Sequence, residues 1–404
     1  MLNDSNVKLR LTHLIKGDHM KKIVLLPKAV IIAIFLVLIL SAGSYAASFN
    51  PPKTIAVISY ELGSSGYMSY GFIGEYMIKT YGTKIRAIPA GNDTARMIAL
   101  RSKVVQFAGQ GLDAHYAMDG ITPRYSGSDW GPQPGLRIAW MAKHPGQCFV
   151  VRGNSDIKEI KDLKGKKLAY IPGSALNDLA EGHLAYAGLS WKDVQKVNIP
   201  GYVPSVKAII DGTVDTAVVM VTSGVVRELA ASPYGLRFLP ETDKQGIARI
   251  RATVNDLVPT KATVGTNLSE DKPAYCMTYP YPSTVCYDNL DDDIAYFMTK
   301  CINEGYKTMA AGSPLIKHYW TLDDFLYLYE QYDYAILHNG SAKYIKEIGK
   351  WKPEYDKYQK ERPQHYLKLR VLFDKVVDLA IEKKITSTDF PNFWLKEREK
   401  FLKK

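Results

Sequence analysis

Ile55-Ala56-Val57-Ile58-Ser59, followed by Gly63-Ser64-Ser65-Gly66 and then by a helix-period pattern from 68 to 81, is the stretch that decides the fold. The first five residues are apolar and rich in β-branched side chains, which reads as a buried strand. The small residues after them let the backbone turn tightly and come close to another group. Phe72, Ile73, Tyr76 and Met77 then share one face of a predicted helix, and Gly82 ends it. A strand running through a small-residue loop into a helix N-terminus is a place where backbone N–H groups favour an anion.

Outward from this unit the chain keeps alternating. Residues 84–89 read as a second strand, Ala90-Gly91-Asn92-Asp93 as a cap with Asn92 or Asp93 at the N-cap, and residues 104–108 as a third strand ending at Gly109-Gln110-Gly111. A loop rich in Gly, Pro and Ser follows, then strands over 137–142 and 147–151. The same logic recurs further on. Residues 168–171 form a strand, Pro172-Gly173-Ser174 a tight turn, and Leu176, Leu179, Ala180 and Leu184 one face of a helix. Strands over 194–199 and 215–221 complete a second βαβ series, and beyond Asp291 the pattern is mostly helical. Alternation that occurs twice argues for two α/β lobes with parallel sheets flanked by helices. The expected organisation is lobe 1 over 47–142 and 265–351, lobe 2 over 143–264, and a basic helical tail over 352–404. In open α/β sheets ligands bind beyond the carboxyl ends of strands, so Ser64–Tyr67 and Gly173–Leu176 are expected to meet in one cleft.

The N-terminal region reads as an export signal. Met20-Lys21-Lys22 is the positive start, residues 29–40 are an unbroken apolar run, and Ser44-Tyr45-Ala46 supplies small residues for cleavage after Ala46. Met20 is the expected start of translation. An uncleaved anchor is the alternative, with Pro27 and Lys28 leaving the apolar run short for a bilayer. The charge is +11 overall but uneven. Residues 343–404 hold seventeen Lys/Arg against ten Asp/Glu, residues 1–46 six against two, and the body between them 29 of each. A neutral body on an exported chain excludes a nucleic-acid role. The basic tail reads as a solvated helix, with contact to a membrane surface as the sharper alternative. Four cysteines are too few for a disulfide scaffold. Cys276 and Cys286 bracket a Tyr/Pro-rich loop and could bridge if it doubles back.

Catalytic signatures are missing. No Gly-x-Ser-x-Gly elbow, Cys/His pairing, phosphate-binding loop with its Lys, or close histidine pair occurs. Asp291-Asp292-Asp293 reads as acid at a helix N-terminus rather than a metal site. Glu61 is the single acid near the first loop. No catalytic residue, metal or cofactor is therefore expected.

Three segments carry a family resemblance: Gly63-Ser64-Ser65-Gly66-Tyr67, Ala90-Gly91-Asn92-Asp93 through Ala95-Arg96 to Gln110, and His338-Asn339-Gly340-Ser341-Ala342-Lys343-Tyr344 continuing to Trp351. Over roughly 54–351 the chain resembles the TAXI-type solute-binding proteins of TRAP transporters. The first loop departs in reading Glu61-Leu62-Gly63-Ser64-Ser65, and Asn339 stands where the family has Pro. The resemblance implies a periplasmic-binding-protein-like, two-lobed α/β fold that takes an amino acid or dicarboxylate and delivers it to TRAP membrane permease subunits. The expected binding residues are Ser64, Ser65, Gly66 and Tyr67 from the first loop, Asn92 and Gln110 beside it, Gly173, Ser174 and Ala175 from the second lobe, and Thr222 and Ser223. An exported enzyme on the same scaffold and a sensory or adhesion module are the alternatives.

Overall fold

The computed structural model describes residues 50–403, so the export signal and its cleavage site lie outside the described residues. Within them, one mixed and one antiparallel sheet form the cores of two lobes. The first contains β1 (Thr54–Ser59), β2 (Lys84–Pro89), β3 (Phe107–Gln110), β4 (Leu136–Met141) and β12 (Ser283–Tyr287), in the order β2-β1-β3-β12-β4. β1 runs parallel to β2 and β3, as the strand-loop-helix pattern predicts, because each return passes through a helix. Those helices, Ser65–Tyr81 and Asp93–Arg101, bury Ile73, Met77, Met97 and Leu100 against the sheet.

The second lobe holds β5 (Gln147–Arg152), β8 (Ala217–Met220), β9 (Leu236–Phe238), β10 (Val258–Ala262) and β11 (Ala274–Thr278), in the order β10-β11-β5-β8 with β9 also on β5. A parallel pair, β6 (Lys167–Tyr170) with β7 (Gln195–Asn198), joins it through a bridge from Leu168 to Thr216. The fold class is therefore α/β and two-lobed, with a helical C-terminal extension.

Two expectations are corrected here. The first sheet is mixed and the second antiparallel, rather than both parallel: β12 is antiparallel to β3 and β4, and β5 to β8, β9 and β11. The chain crosses between lobes twice, so a strand that leaves a lobe runs against the one that returns. The return also comes later than residue 265. The β10–β11 hairpin, in register from Val258↔Thr278 to Ala262↔Ala274, continues the second sheet, and the crossing back occupies residues 279–282. The two crossings hold each other: Tyr281 N–H donates to Ala142 O (2.9 Å) and Ala142 N–H to Pro282 O (3.2 Å). The Cys276–Cys286 pairing is likewise excluded. Those residues lie in β11 and β12, in different sheets.

The C-terminal extension is docked, not trailing. Its helices are Pro353–Glu382 and Phe390–Leu402. Trp394 is fully buried and donates its indole N–H to Gly120 O at 2.6 Å, while Arg398 pairs with Asp119 at 2.6 Å. Among the described residues no helix is long and apolar enough to cross a membrane. The His338–Ala342 segment is structural. His338 caps helix Asn339–Glu347, and a Cβ on Gly340 would lie 1.9 Å from Asp292 O of the neighbouring helix Asp292–Glu304. Asp291 caps that neighbour by accepting from Asp293 N and Ile294 N.

Candidate functional site

Between the lobes lies a nearly filled cavity of about 40 Å³. Lobe 1 contributes Tyr60, Glu61, Ser64, Asp93 and Arg96 to its walls, lobe 2 Ser174, Ala175, Tyr202 and Met220, and the crossing segment Tyr279 and Tyr281. Two helices of the second lobe, Leu176–Tyr186 and Tyr202–Asp211, put N-terminal residues in its wall, and the N-terminus of a third, Gly224–Ala231, lies against Gly63 of the first lobe. None of the three N-cap residues caps with its own side chain, although Ser174 Oγ accepts from Leu176 N–H at 3.3 Å, and first-turn N–H groups are left facing the first lobe.

Lobe 1 fills all three. Asp93 Oδ2 accepts from Ala175 N–H and from Ser174 Oγ, both at 2.9 Å. Glu61 Oε2 accepts from Val203 N–H at 2.6 Å. Gly63 O accepts from Val225 N–H at 3.4 Å. The protein's own carboxylates thus occupy the places where a ligand anion is expected. Thr94 adds N–H and Oγ1 bonds to Gly173 O, at 3.2 and 3.1 Å. Arg124 of lobe 1 pairs with Asp113 (2.8 Å) and with Asp178 of lobe 2 (2.6 Å).

Asp93 is buried beside Arg96, whose guanidinium pairs with its other oxygen and lies 4.1 Å above the Tyr60 ring. Burial pushes the Asp93 carboxyl up. The charges of Arg96 and Arg124 and the bonds from Ala175 and Ser174 outweigh it, holding the group below the usual carboxylate range. Glu61 is pushed up by burial, opposed by the bond from Val203. Arg96 Nε and Tyr60 Oη are buried at the cavity wall without a hydrogen-bond partner.

The expected residues divide. Ser64, Ser174 and Ala175 line the cavity. Ser64 caps helix Ser65–Tyr81, accepting from Tyr67 N–H and donating to Glu61 O. Ser65 and Thr222 line a neighbouring crevice with Arg227 and Thr263. Thr222 Oγ1 is 3.0 Å from His144 Nε2, and His144 Nδ1 accepts from Gly146 N–H. Burial drives the His144 pKa down to about 3, so Nε2 carries the proton and donates to Thr222. Gln110 is buried, with Oε1 unpartnered. Tyr67, Asn92, Gly173 and Ser223 do not wall the cavity. Asn92 caps its own helix, and Ser223 accepts from Tyr202 Oη at 2.8 Å. For Gly66 the expected reason is corrected: a Cβ there would sit 2.3 Å from the Tyr60 ring and 2.9 Å from Tyr281 Oη, so close packing against aromatic rings requires it.

Asp93, Arg96 and the Tyr60/Tyr202/Tyr279/Tyr281 set escaped the sequence reading as site residues. A short acid–basic i,i+3 pair at a helix start looks like ordinary helix chemistry. Tyrosines scattered from 60 to 281 give no local signal. Among the described residues no group of three or more His, Cys, Asp or Glu could hold a metal ion.

The sequence model of the NMT1-like family matches residues 71–349. A protein of Haemophilus influenzae described as a putative thiamine biosynthesis protein is 30% identical over 109 residues, which cover 27% of this chain. The chain spans about a third of that relative's length, at 34%. Among solved structures, the periplasmic aliphatic sulphonate binding protein SsuA from Escherichia coli aligns with 15% identity over 80% of this chain and 89% of its own, at a TM-score of 0.41. The alkanesulfonate-binding protein SsuA from Xanthomonas axonopodis pv. citri, bound to MOPS, aligns with 14% identity over 83% and 94%, at 0.41. A periplasmic binding protein from Brucella ovis with glutathione bound aligns with 15% identity over 64% and 70%, also at 0.41.

Proposed function

The chain belongs to the NMT1-like family, and from that premise we propose that it is a solute-binding protein working outside the cytoplasm. Its two lobes close on a small organic anion, an amino acid or dicarboxylate, and the closed form is handed to a membrane permease of the TRAP type. The observation that carries this reading is the donor set gathered around Asp93. The Arg96 guanidinium, the Ala175 N–H and the Ser174 hydroxyl converge from both lobes on one carboxylate. A ligand carboxylate that displaced Asp93 would find the same charge-assisted partners, and the unpartnered Arg96 Nε adds a further donor.

About 40 Å³ is room for one or two water molecules, whose share of liquid volume is about 30 Å³ each. A solute therefore enters an opened form, by movement about the two crossings at 143–146 and 279–282. Closure follows because the ligand touches both lobes only when they are together. The TRAP assignment and the carboxylate class rest on the sequence resemblance; the donor set supports the second. No enzymatic role is proposed, since Glu61 and Asp93 are both engaged as caps across the cleft.

Calorimetric titration with glutamate, 2-oxoglutarate, succinate and the matching primary amides tests the reading. A carboxylate should bind at least about tenfold more tightly than its amide, a difference of about 1.4 kcal/mol. An amide or neutral sugar that binds as well as the acid would defeat the carboxylate site.

A further inference from the structure

Cys148 lies in β5 and Cys276 in β11, which run antiparallel with Met277 opposite Gln147. Cys148 follows Gln147 and Cys276 precedes Met277, so the two cysteines flank the point where β11 leaves β5 and residues 236–239 take its place on that edge. The register pair beside them, Gln147 with Met277, brings the backbones to about 4.5–5.5 Å, and a disulfide spans Cα atoms roughly 4.4–6.8 Å apart. Both side chains enter one small apolar cluster with Val221, Ala262 and Ala274. Gly146 makes room for the sulfur: a Cβ at that position would lie 2.2 Å from Cys276 Sγ. The other two cysteines are elsewhere, Cys286 in β12 of the first sheet and Cys301 in helix Asp292–Glu304.

We propose that Cys148 and Cys276 are oxidised to a disulfide that ties β5 to β11. The location matters for the fold. Cys148 follows the first crossing between lobes, and Cys276 precedes the second. The bond would fasten together the two strands that flank the hinge on its second-lobe side. It would also hold the β10–β11 hairpin, whose strand β11 meets β5 at one register pair, to the centre of its sheet.

The step is a thiol–disulfide exchange. One cysteine thiolate attacks a sulfur of an oxidant disulfide, such as oxidised glutathione or a protein disulfide, and expels a thiolate. The second cysteine thiolate attacks the mixed disulfide and expels the other half. Two protons leave the cysteines, and two electrons pass to the oxidant, which becomes two thiols. Both cysteines are fully buried once the sheet is complete, so the exchange belongs to folding, before β11 seats on β5. In the cell, the bond depends on the location outside the cytoplasm proposed above, where such oxidants prevail.

The test refolds the full-length chain from reducing denaturant in a mixture of oxidised and reduced glutathione. Free thiols are then blocked with N-ethylmaleimide in denaturant, and digested peptides are weighed. The expected product is a linked pair of peptides carrying Cys148 and Cys276, lighter by two hydrogens than their sum, with Cys286 and Cys301 blocked. Reductant should lower the Tm of this product by several degrees and leave a refolded C148S/C276S chain unchanged. Four blocked thiols, or a bond to Cys286 or Cys301, overturns the proposal. A refolded chain that forms the bond while the cellular protein fractionates with the cytosol keeps the disulfide and overturns the location.

Discussion

Replacing Asp93 with Ala should open the ligand-free protein. In one step the change removes two hydrogen bonds across the cleft, to Ser174 Oγ and Ala175 N–H, both at 2.9 Å. Bonds to a charged acceptor contribute roughly 1.5–3 kcal/mol each, so the pair sets a range of about 3–6 kcal/mol. Water satisfies the same donors in the open form, which favours the lower end. At about 3 kcal/mol the closed-to-open ratio falls on the order of a hundredfold. The links that remain include Glu61 to Val203, Gly63 to Val225, Thr94 to Gly173, Arg124 to Asp178 and His115 to Asp256. Opening is read by energy transfer between dyes on cysteines placed at Lys79 and Glu228, which are exposed and lie on opposite lobes, the four native thiols being buried. Wild type should show one short distance, and the variant a longer one. Adding acetate should then restore the short distance in the variant alone, because a free carboxylate fills the vacated donor set. An unchanged distance in Asp93→Ala, or no response to acetate, would refute the latch.

Gly201→Ala should weaken the second latch, since a Cβ there would stand 1.8 Å from Glu61 Oε1 and drive that carboxylate off the Val203 N–H. The same dye pair reports it, and a distance equal to wild type would show that Glu61 does not hold the lobes. His115 should make stability fall with rising pH. Burial lowers its pKa, but the hydrogen bonds it donates to Asp119 and Asp256 and their charges prevail and raise it from 6.5 to about 10. A raised folded value means that the contribution is complete below pH 6.5 and is lost as pH climbs towards 10. At about 1.4 kcal/mol per pH unit the total is at most on the order of 5 kcal/mol. Denaturant melts from pH 6.5 to 9.5 should show a decline that His115→Gln lacks, and parallel profiles would disprove the assignment. The groups facing this ring are Asp119, Asp256 and Tyr334, with His365 and Arg398 on the far side of Asp119.

What the sequence determined is local. The run from Ile55 to Ser59 reads as a strand, Asn92 or Asp93 as a helix cap and Asp291-Asp292-Asp293 as a helix start, and the structure chooses Asn92 and Asp291 as the caps, because periodicity and capping depend on neighbours within four residues. The recurrence of strand, turn and helix also gave two α/β lobes, and it named Ser64, Ser174 and Ala175, which do wall the cavity. Sheet direction was not legible, since parallel and antiparallel strands share the same alternation. The second crossing was missed for a related reason: nothing local tells a hairpin strand at Ala274–Thr278 from the strand at Ser283–Tyr287 in the other sheet. Sequence distance suggests Cys286 as a partner for Cys276, whereas the fold puts Cys276 in one apolar cluster with Cys148, more than a hundred residues away. Only the tertiary structure could decide what meets the second-lobe helix N-termini. Those N–H groups invite an anion from any source. Closure brought Asp93 and Glu61, one on a helix start and one on a loop, within 3 Å of them from the opposite lobe.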